Sequence, residues 1–275
     1  MRTGWSVRVP ASSANLGSAF DAVAVALDTH LEVNGDGSEP APETHPAVRA
    51  FRHAGGEGPL TVHCHFPGGR GLGFSGAARV AGLLAASVQR ERPLRAARRD
   101  VLPAATQLEG HADNVAASLL GGVVAVAGGR AVRVPLGREL AVVLWVPDRE
   151  TATTSARRHL PDQVAFDDAA FNVGRTALLI AALAAGDTDA LRTATEDRLH
   201  QDRRLSRAPE TRIAIDTALR AGAFGAWVSG SGPSAAAFAD PARAPEIAGA
   251  MPPGGRAIVL EIAEEGATVT SRSTQ

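Results

Sequence analysis

The chain has 275 residues, 45% of them apolar and 21% charged, which is long and apolar enough for a sizeable core and too ordinary a mix for disorder or a fibrous repeat. A formal net charge of −1 supplies no basic footprint for nucleic acid. Lysine and tyrosine are both absent, so the 28 basic residues are all arginine, and any mechanism using a lysine nucleophile, a lysine Schiff base or a tyrosine acid is excluded.

In chain order, the stretch "MRTGWSVRVP" contains no run fit for a signal peptide, and residues 5 to 10 alternate like a short strand. "ASSANLGSAFDAVAVALD" reads as a polar turn leading into a second apolar run. Three prolines and mixed polar residues make 35 to 47 a surface loop, and strand "LTVHCHF" then enters "PGGRGLGFSG". From Ser75 to Gln89, Ala77, Ala78, Ala81, Leu84, Ala85 and Val88 recur at helical spacing, while Arg79, Ser87 and Gln89 interrupt that apolar face. Residues 90 to 100 form a basic connector with a helix start after Pro93, and "QLEGHADNVAASLLGG" is helix-like. "VVAVAGGRAVRVPL" is a hairpin turning at Gly128 and Gly129.

Beyond residue 140 the pattern alternates: strand "AVVLWVP", helices over 168 to 185, 189 to 199 and 209 to 222, then a strand, a glycine turn and a strand in "GAWVSGSGPSAAAFAD". A short helix over 241 to 250 and strand "AIVLEIA" complete it, which places a domain boundary near 140, with domains 1–140 and 141–275. The longest apolar run, "AASLLGGVVAVAGG", is too short and glycine-rich to span a bilayer. With the single Cys64 unable to form an internal disulfide, this predicts a cytoplasmic protein without membrane partners.

Gly71, Gly73 and Gly76 match G-x-G-x-x-G between a strand and a helix. A dinucleotide fold also needs a second parallel strand ending in an acid about 20 residues on, and "RERPLRAARR" cannot be one. The lysine of the other common phosphate loop is missing. Two readings remain for this stretch alone: a cradle of backbone N–H groups for a nucleotide phosphate at a helix N-terminus, or a tight turn without a ligand.

The order and spacing of "PASSANLGSAFD", "GRGLGFSGAA", "EGHADNVAASLLGG" and "VSGSGPSAAAF" resembles the GHMP small-molecule kinases, and within them the homoserine kinases. The likeness extends to "VPDRETATTSARRHLP", "FNVGRTALLIAAL" and "ATEDRLHQ". It implies an α+β, two-domain fold with a ribosomal-S5-like βαβ domain followed by a ferredoxin-like one. The implied reaction is transfer of the ATP γ-phosphoryl group to the side-chain hydroxyl of L-homoserine or a similar hydroxylated amino acid, with Mg²⁺, in threonine biosynthesis. The resemblance further implies that Arg70, Gly71, Leu72, Gly73, Phe74, Ser75 and Gly76 hold the nucleotide and that Glu109 and Ser75 hold the metal. Asn15, Asp21, His111, Asn114, Arg175 and Arg204 would surround the amino acid, with Asp21 suited to its ammonium and the two arginines to its carboxylate, Arg203 being an equal candidate for the place of Arg204. Asp21, Asn114 and Arg175 would act at the reacting centre. The "SGSGPS" turn would shape the pocket, and a homodimer is in keeping with the chain's size.

The chain departs from the family pattern at Phe74, where a serine is usual, at Gly76 for alanine, at Ala19 for glycine and at Cys64 for asparagine. Losing a preorganised hydroxyl at the phosphate loop costs roughly 10² to 10³ in rate. The alternative function is accordingly a diverged kinase-like protein, with weak or lost ATP use, that binds or transforms an amino-acid-like ligand.

Overall fold

Residues 4–14 alternate between two faces, and in the computed structural model, which describes residues 4–35, 37–148 and 160–272, they form one long strand. This strand, β1 (Gly4–Ala14), continues through the expected polar turn because Ser12 and Ser13 are buried with their hydroxyls hydrogen bonded. Antiparallel to it lies β2 (Val23–Asn34). The C-terminal end of β2 pairs with β3 (Thr61–Cys64) and its N-terminal end with β4 (Val123–Ala127). A hairpin joins β4 to β5 (Arg130–Val134); Gly128 and Gly129 both take positive φ, 54° and 75°, as a tight turn matching the strand twist requires.

Four helices in this half fix the site. Helix α1 (Pro46–His53) lies against α2 (Phe74–Gln89), which starts one residue earlier than its sequence pattern predicts. Helix α2 is buried almost all round, since its glycines and alanines let β1, β2 and α1 approach closely. The segment expected to be helix-like from 107 to 122 is two helices, α3 (Leu94–Glu109) and α4 (Asp113–Leu120). Gly110 separates them at φ 91°, a conformation that ends α3 and costs a residue without a side chain little.

In the second half, β6 (Ala141–Pro147), β7 (Gly225–Val228), β8 (Ala235–Ala239) and β9 (Gly255–Glu261) make an antiparallel sheet in the order β7-β8-β6-β9. Both faces of β6 are covered. Val142, Leu144 and Val146 join the main core shared with the first half, whereas Ala141, Val143 and Trp145 join a second cluster with Ala214, Ala218 and Ile247 from helices Pro209–Arg220 and Ala244–Gly249. The last strand, β10 (Thr268–Arg272), returns to pair with the free edge of β1, giving the first sheet the order β10-β1-β2-β4-β5. Residues 268–272, from beyond the boundary expected at residue 140, thus close the edge of β1.

Among the described residues, helix Phe166–Ala185 is the one whose length and apolar composition alone would let it cross a membrane. Its polar groups instead tie it to the first half: Asn172 Nδ2 and Thr176 Oγ1 donate to the Ser18 carbonyl at 2.9 and 3.1 Å. The helix expected from 189 to 199 ends at Ala194, because the Asp197 carboxylate takes the backbone N–H groups of Leu199, His200 and Gln201 and turns the chain.

Candidate active site

Three glycines shape the loop between β3 and α2. Gly69, Gly71 and Gly73 all hold positive φ, 69°, 76° and 68°. A Cβ on Gly71 would overlap the Ser229 carbonyl, and one on Gly73 would overlap Ser12 Oγ, so the loop is wedged between β1 and the turn after β7. Ser12 N–H donates to the Leu72 carbonyl at 3.1 Å, and Ser229 Oγ donates to the Gly71 carbonyl at 2.7 Å. Helix α2 begins immediately after, and its first internal bond runs from Ala77 N–H to the Gly73 carbonyl at 2.9 Å. The N–H groups of Phe74, Ser75 and Gly76 thus belong to the first turn, where a helix has no carbonyl of its own to offer them. This cradle opens onto a cavity of about 610 Å³ lined by Gly69, Gly71, Leu72, Gly73, Phe74 and Ser75.

The Phe74 ring turns towards the protein side of the loop. It packs edge-on against His45 and Phe66, with centroids 5.6 and 6.4 Å away, and lies over Gly68. Gly76 does not make room for it, since a Cβ there would meet Asn114 and Val115 at 3.4 Å rather than the ring.

A charged wall faces the cradle. Ser75 Oγ donates to Glu109 Oε2 at 2.8 Å, and Arg79 Nη1 donates to both of those oxygens. On the other side of the carboxylate, His111 Nε2 stands 3.7 Å from Glu109 Oε1 while its Nδ1 bonds Asp113 Oδ1 at 3.0 Å. The bond to Asp113 raises the His111 pKa above the ordinary histidine value against the opposing effect of burial. Asp113 also accepts the Asn114 backbone N–H at 2.7 Å, and Asn114 Oδ1 accepts from Ser12 Oγ at 2.9 Å.

The opposite rim is built by the turn after β1. Asn15, Leu16 and Asp21 hold positive φ of 76°, 40° and 56°, and Asn15 locks them by accepting the Asp21 N–H at 3.0 Å and donating to the Gly230 carbonyl at 2.8 Å. Arg204 Nη1 donates to the same carbonyl, and its guanidinium lies 5.5 Å over the Phe20 ring. Asp21, Arg204, Gly230 and Ser231 line the cavity together with Glu109, His111, Asp113 and Asn114.

Not every residue singled out in the sequence reaches this space. Arg175 lies outside the lining; its Nε and Nη2 donate to Glu196 Oε2 at 3.1 and 2.9 Å, and it stacks on Phe171 at 4.3 Å. Arg70 points away from the cradle, with bonds to the Pro147 and Asp148 carbonyls at 3.2 Å each. Cys64 and Ala19 are also outside the lining, and much of "VPDRETATTSARRHLP" lies outside the described residues. Sequence reasoning missed Arg79 as part of the cavity wall and Ser12 as a support of the glycine loop. For Arg79 there was a signal: it interrupts the apolar face of α2 four residues after Ser75, one turn along the same side.

A glycine cradle at a helix N-terminus, facing carboxylates and an arginine across one cavity between two α+β halves, has the makings of a small-molecule kinase. Two family models match the chain, "GHMP kinases N terminal domain" over residues 44–122 and "GHMP kinases C terminal" over 179–255. The homoserine kinase of Thermus thermophilus is 41% identical over 93% of this chain and 95% of its own length. That of Streptomyces coelicolor is 39% identical over 98% and 95%. The crystal structure of homoserine kinase from Cytophaga hutchinsonii superposes with a TM-score of 0.86 at 28% identity, covering 98% of each chain. Mevalonate kinase, 11% identical with a TM-score of 0.69, shares the fold. The chain belongs to the GHMP kinases, in their homoserine kinase family.

Proposed function

We propose that this protein transfers the γ-phosphoryl group of ATP to the side-chain hydroxyl of L-homoserine. The observation that carries the reading is that the first turn of α2 and the pair Asp21 and Arg204 face one cavity, an anion cradle on one side and a site for an amino acid's two charges on the other. Bound ATP supplies the activated phosphoryl group. The N–H groups of Phe74, Ser75 and Gly76 bind the triphosphate, and the wedged glycine loop keeps them fixed, so little reorganisation is needed as charge moves. Asp21 takes the substrate ammonium and Arg204 the carboxylate. Asn15 positions both by tying the 15–21 turn to Gly230. His111, made more basic by Asp113, stands beside Glu109, and Asn114 is anchored by Ser12 where α2 and α4 meet.

The fit to a protein-held Mg²⁺ is poor as the residues stand. Glu109 and Ser75 are oxygen donors of the right kind, but the Arg79 guanidinium contacts both. A Mg²⁺ ion at this site would have to be held by the phosphates of the nucleotide. The departures at Phe74 and Gly76 leave the backbone cradle intact, because the ring packs on His45 and Phe66 and the new glycine faces α4. A cytoplasmic place in threonine biosynthesis follows from the same reading.

The test compares L-homoserine with its analogues lacking the amino group (4-hydroxybutyrate) and the carboxylate (3-aminopropanol), following ADP release. Each analogue removes a charge that Asp21 or Arg204 would bind, so kcat/KM falls by about 10²-fold or more. Equal rates for all three alcohols would contradict amino-acid recognition by Asp21 and Arg204.

A further inference from the structure

Arg79 stands four residues after Ser75 on α2 and reaches Glu109 at the end of α3. Its Nη1 donates to Ser75 Oγ and Glu109 Oε2 together, and those two oxygens are themselves bonded at 2.8 Å. The Glu109 side chain is only 9% exposed and that of Arg79 24%, so water screens the pair weakly. All three residues line the cavity beside the glycine loop. The second carboxylate oxygen faces His111 at 3.7 Å. One oxygen of Glu109 is therefore held by a guanidinium and the other faces an imidazole, and a divalent ion placed between Ser75 and Glu109 would meet the guanidinium at bonding distance, against strong like-charge repulsion.

We propose that Arg79 is the fixed cation of the phosphate loop. Its guanidinium occupies the position between Ser75 and Glu109, Glu109 anchors it instead of ligating a metal, and its remaining N–H donors face the terminal phosphates of bound nucleotide. The metal that arrives with the nucleotide is held by phosphate and water without Glu109. This inference rests on the reading of the cavity as a nucleotide site. It goes beyond that reading by replacing an ion with a side chain that is always charged.

Manganese, whose unpaired electrons report its own binding, tests the idea on the full chain with a non-hydrolysable ATP analogue. Far-UV circular dichroism checks the fold of each variant, and Arg79→Gln stands in if Arg79→Leu does not fold. In the otherwise unchanged protein, Glu109→Gln leaves the Mn²⁺ dissociation constant within about twofold. Arg79→Leu releases the two oxygens and tightens Mn²⁺ about tenfold or more, and Glu109→Gln added to Arg79→Leu abolishes that gain. With EDTA present, the unchanged protein still binds the analogue, and Arg79→Leu weakens that metal-free binding about tenfold. The proposal is overturned if Glu109→Gln alone weakens Mn²⁺ tenfold, or if Arg79→Leu leaves both affinities unchanged. Failure to bind the analogue under any condition would instead refute the nucleotide site itself.

Discussion

Single side chains in this protein do work that their types alone do not announce. His200 is 1% exposed; its Nε2 donates to the Gly17 carbonyl at 2.8 Å, which leaves Nδ1 buried without a partner among the described residues and the ring neutral. Burial pushes its pKa down to about 4, with the Asp197 carboxylate opposing and Arg204 adding to the effect. The unfolded chain therefore binds this proton more readily than the folded one between the usual histidine value and about 4. The stability tied to His200 is complete above pH 6.5 and is lost as pH falls towards 4, by up to about 3 kcal/mol. Urea unfolding across that window should show the loss, and His200→Gln, which keeps an N–H for Gly17 but cannot titrate there, should flatten it. An equally steep slope in the variant would place the acid sensitivity elsewhere. Asn15 is a comparable case: it lines the cavity, and both of its side-chain polar atoms also hold backbone partners, Oδ1 the Asp21 N–H and Nδ2 the Gly230 carbonyl.

Helix α2 joins the phosphate loop to the core, and its small residues are the reason it can. A Cβ on Gly82 would overlap the Ala47 carbonyl of α1, so the two helices touch backbone to backbone at this point. Gly82→Ala forces them apart and should cost about 1–3 kcal/mol despite the better helix propensity of alanine, read as a lower midpoint in urea. A gain in stability would show that α1 is free to shift. At this scale the sequence was informative where periodicity or turn chemistry acted alone. The hairpin at Gly128 and Gly129, strand β6 and the start of α3 after Pro93 all lie where local pattern places them. Boundaries set by distant partners were not legible: β1 outruns its expected end because Trp227 and Asn114 satisfy the hydroxyls of Ser13 and Ser12. Gly110 likewise splits a stretch whose composition is helical throughout.

Across the whole molecule, the cavity exists because the two halves close on one another. Ser229 bonds Gly71, Gly230 N–H donates to the Ala14 carbonyl at 3.1 Å, and Trp227 Nε1 donates to Ser13 at 3.0 Å, so the turn after β7 is fastened to both the phosphate loop and β1. Strand β10 fastens the C-terminus to the first sheet as well. The four motifs that carry the family resemblance converge on this junction, which is why the lineage and most lining residues could be read from the chain. What could not be read was the rotation of individual arginines: Arg175 pairs with Glu196, whereas Arg79, passed over as an interruption of an apolar face, enters the site. The central claim is that phosphoryl transfer from ATP to the homoserine hydroxyl takes place at this junction. Phosphorus NMR of the protein with ATP, Mg²⁺ and L-homoserine measures it directly. The account predicts a phosphate-monoester resonance coupled to the homoserine CH₂ protons, growing in step with ADP, whereas unchanged ATP, or ADP accompanied only by inorganic phosphate, would contradict it.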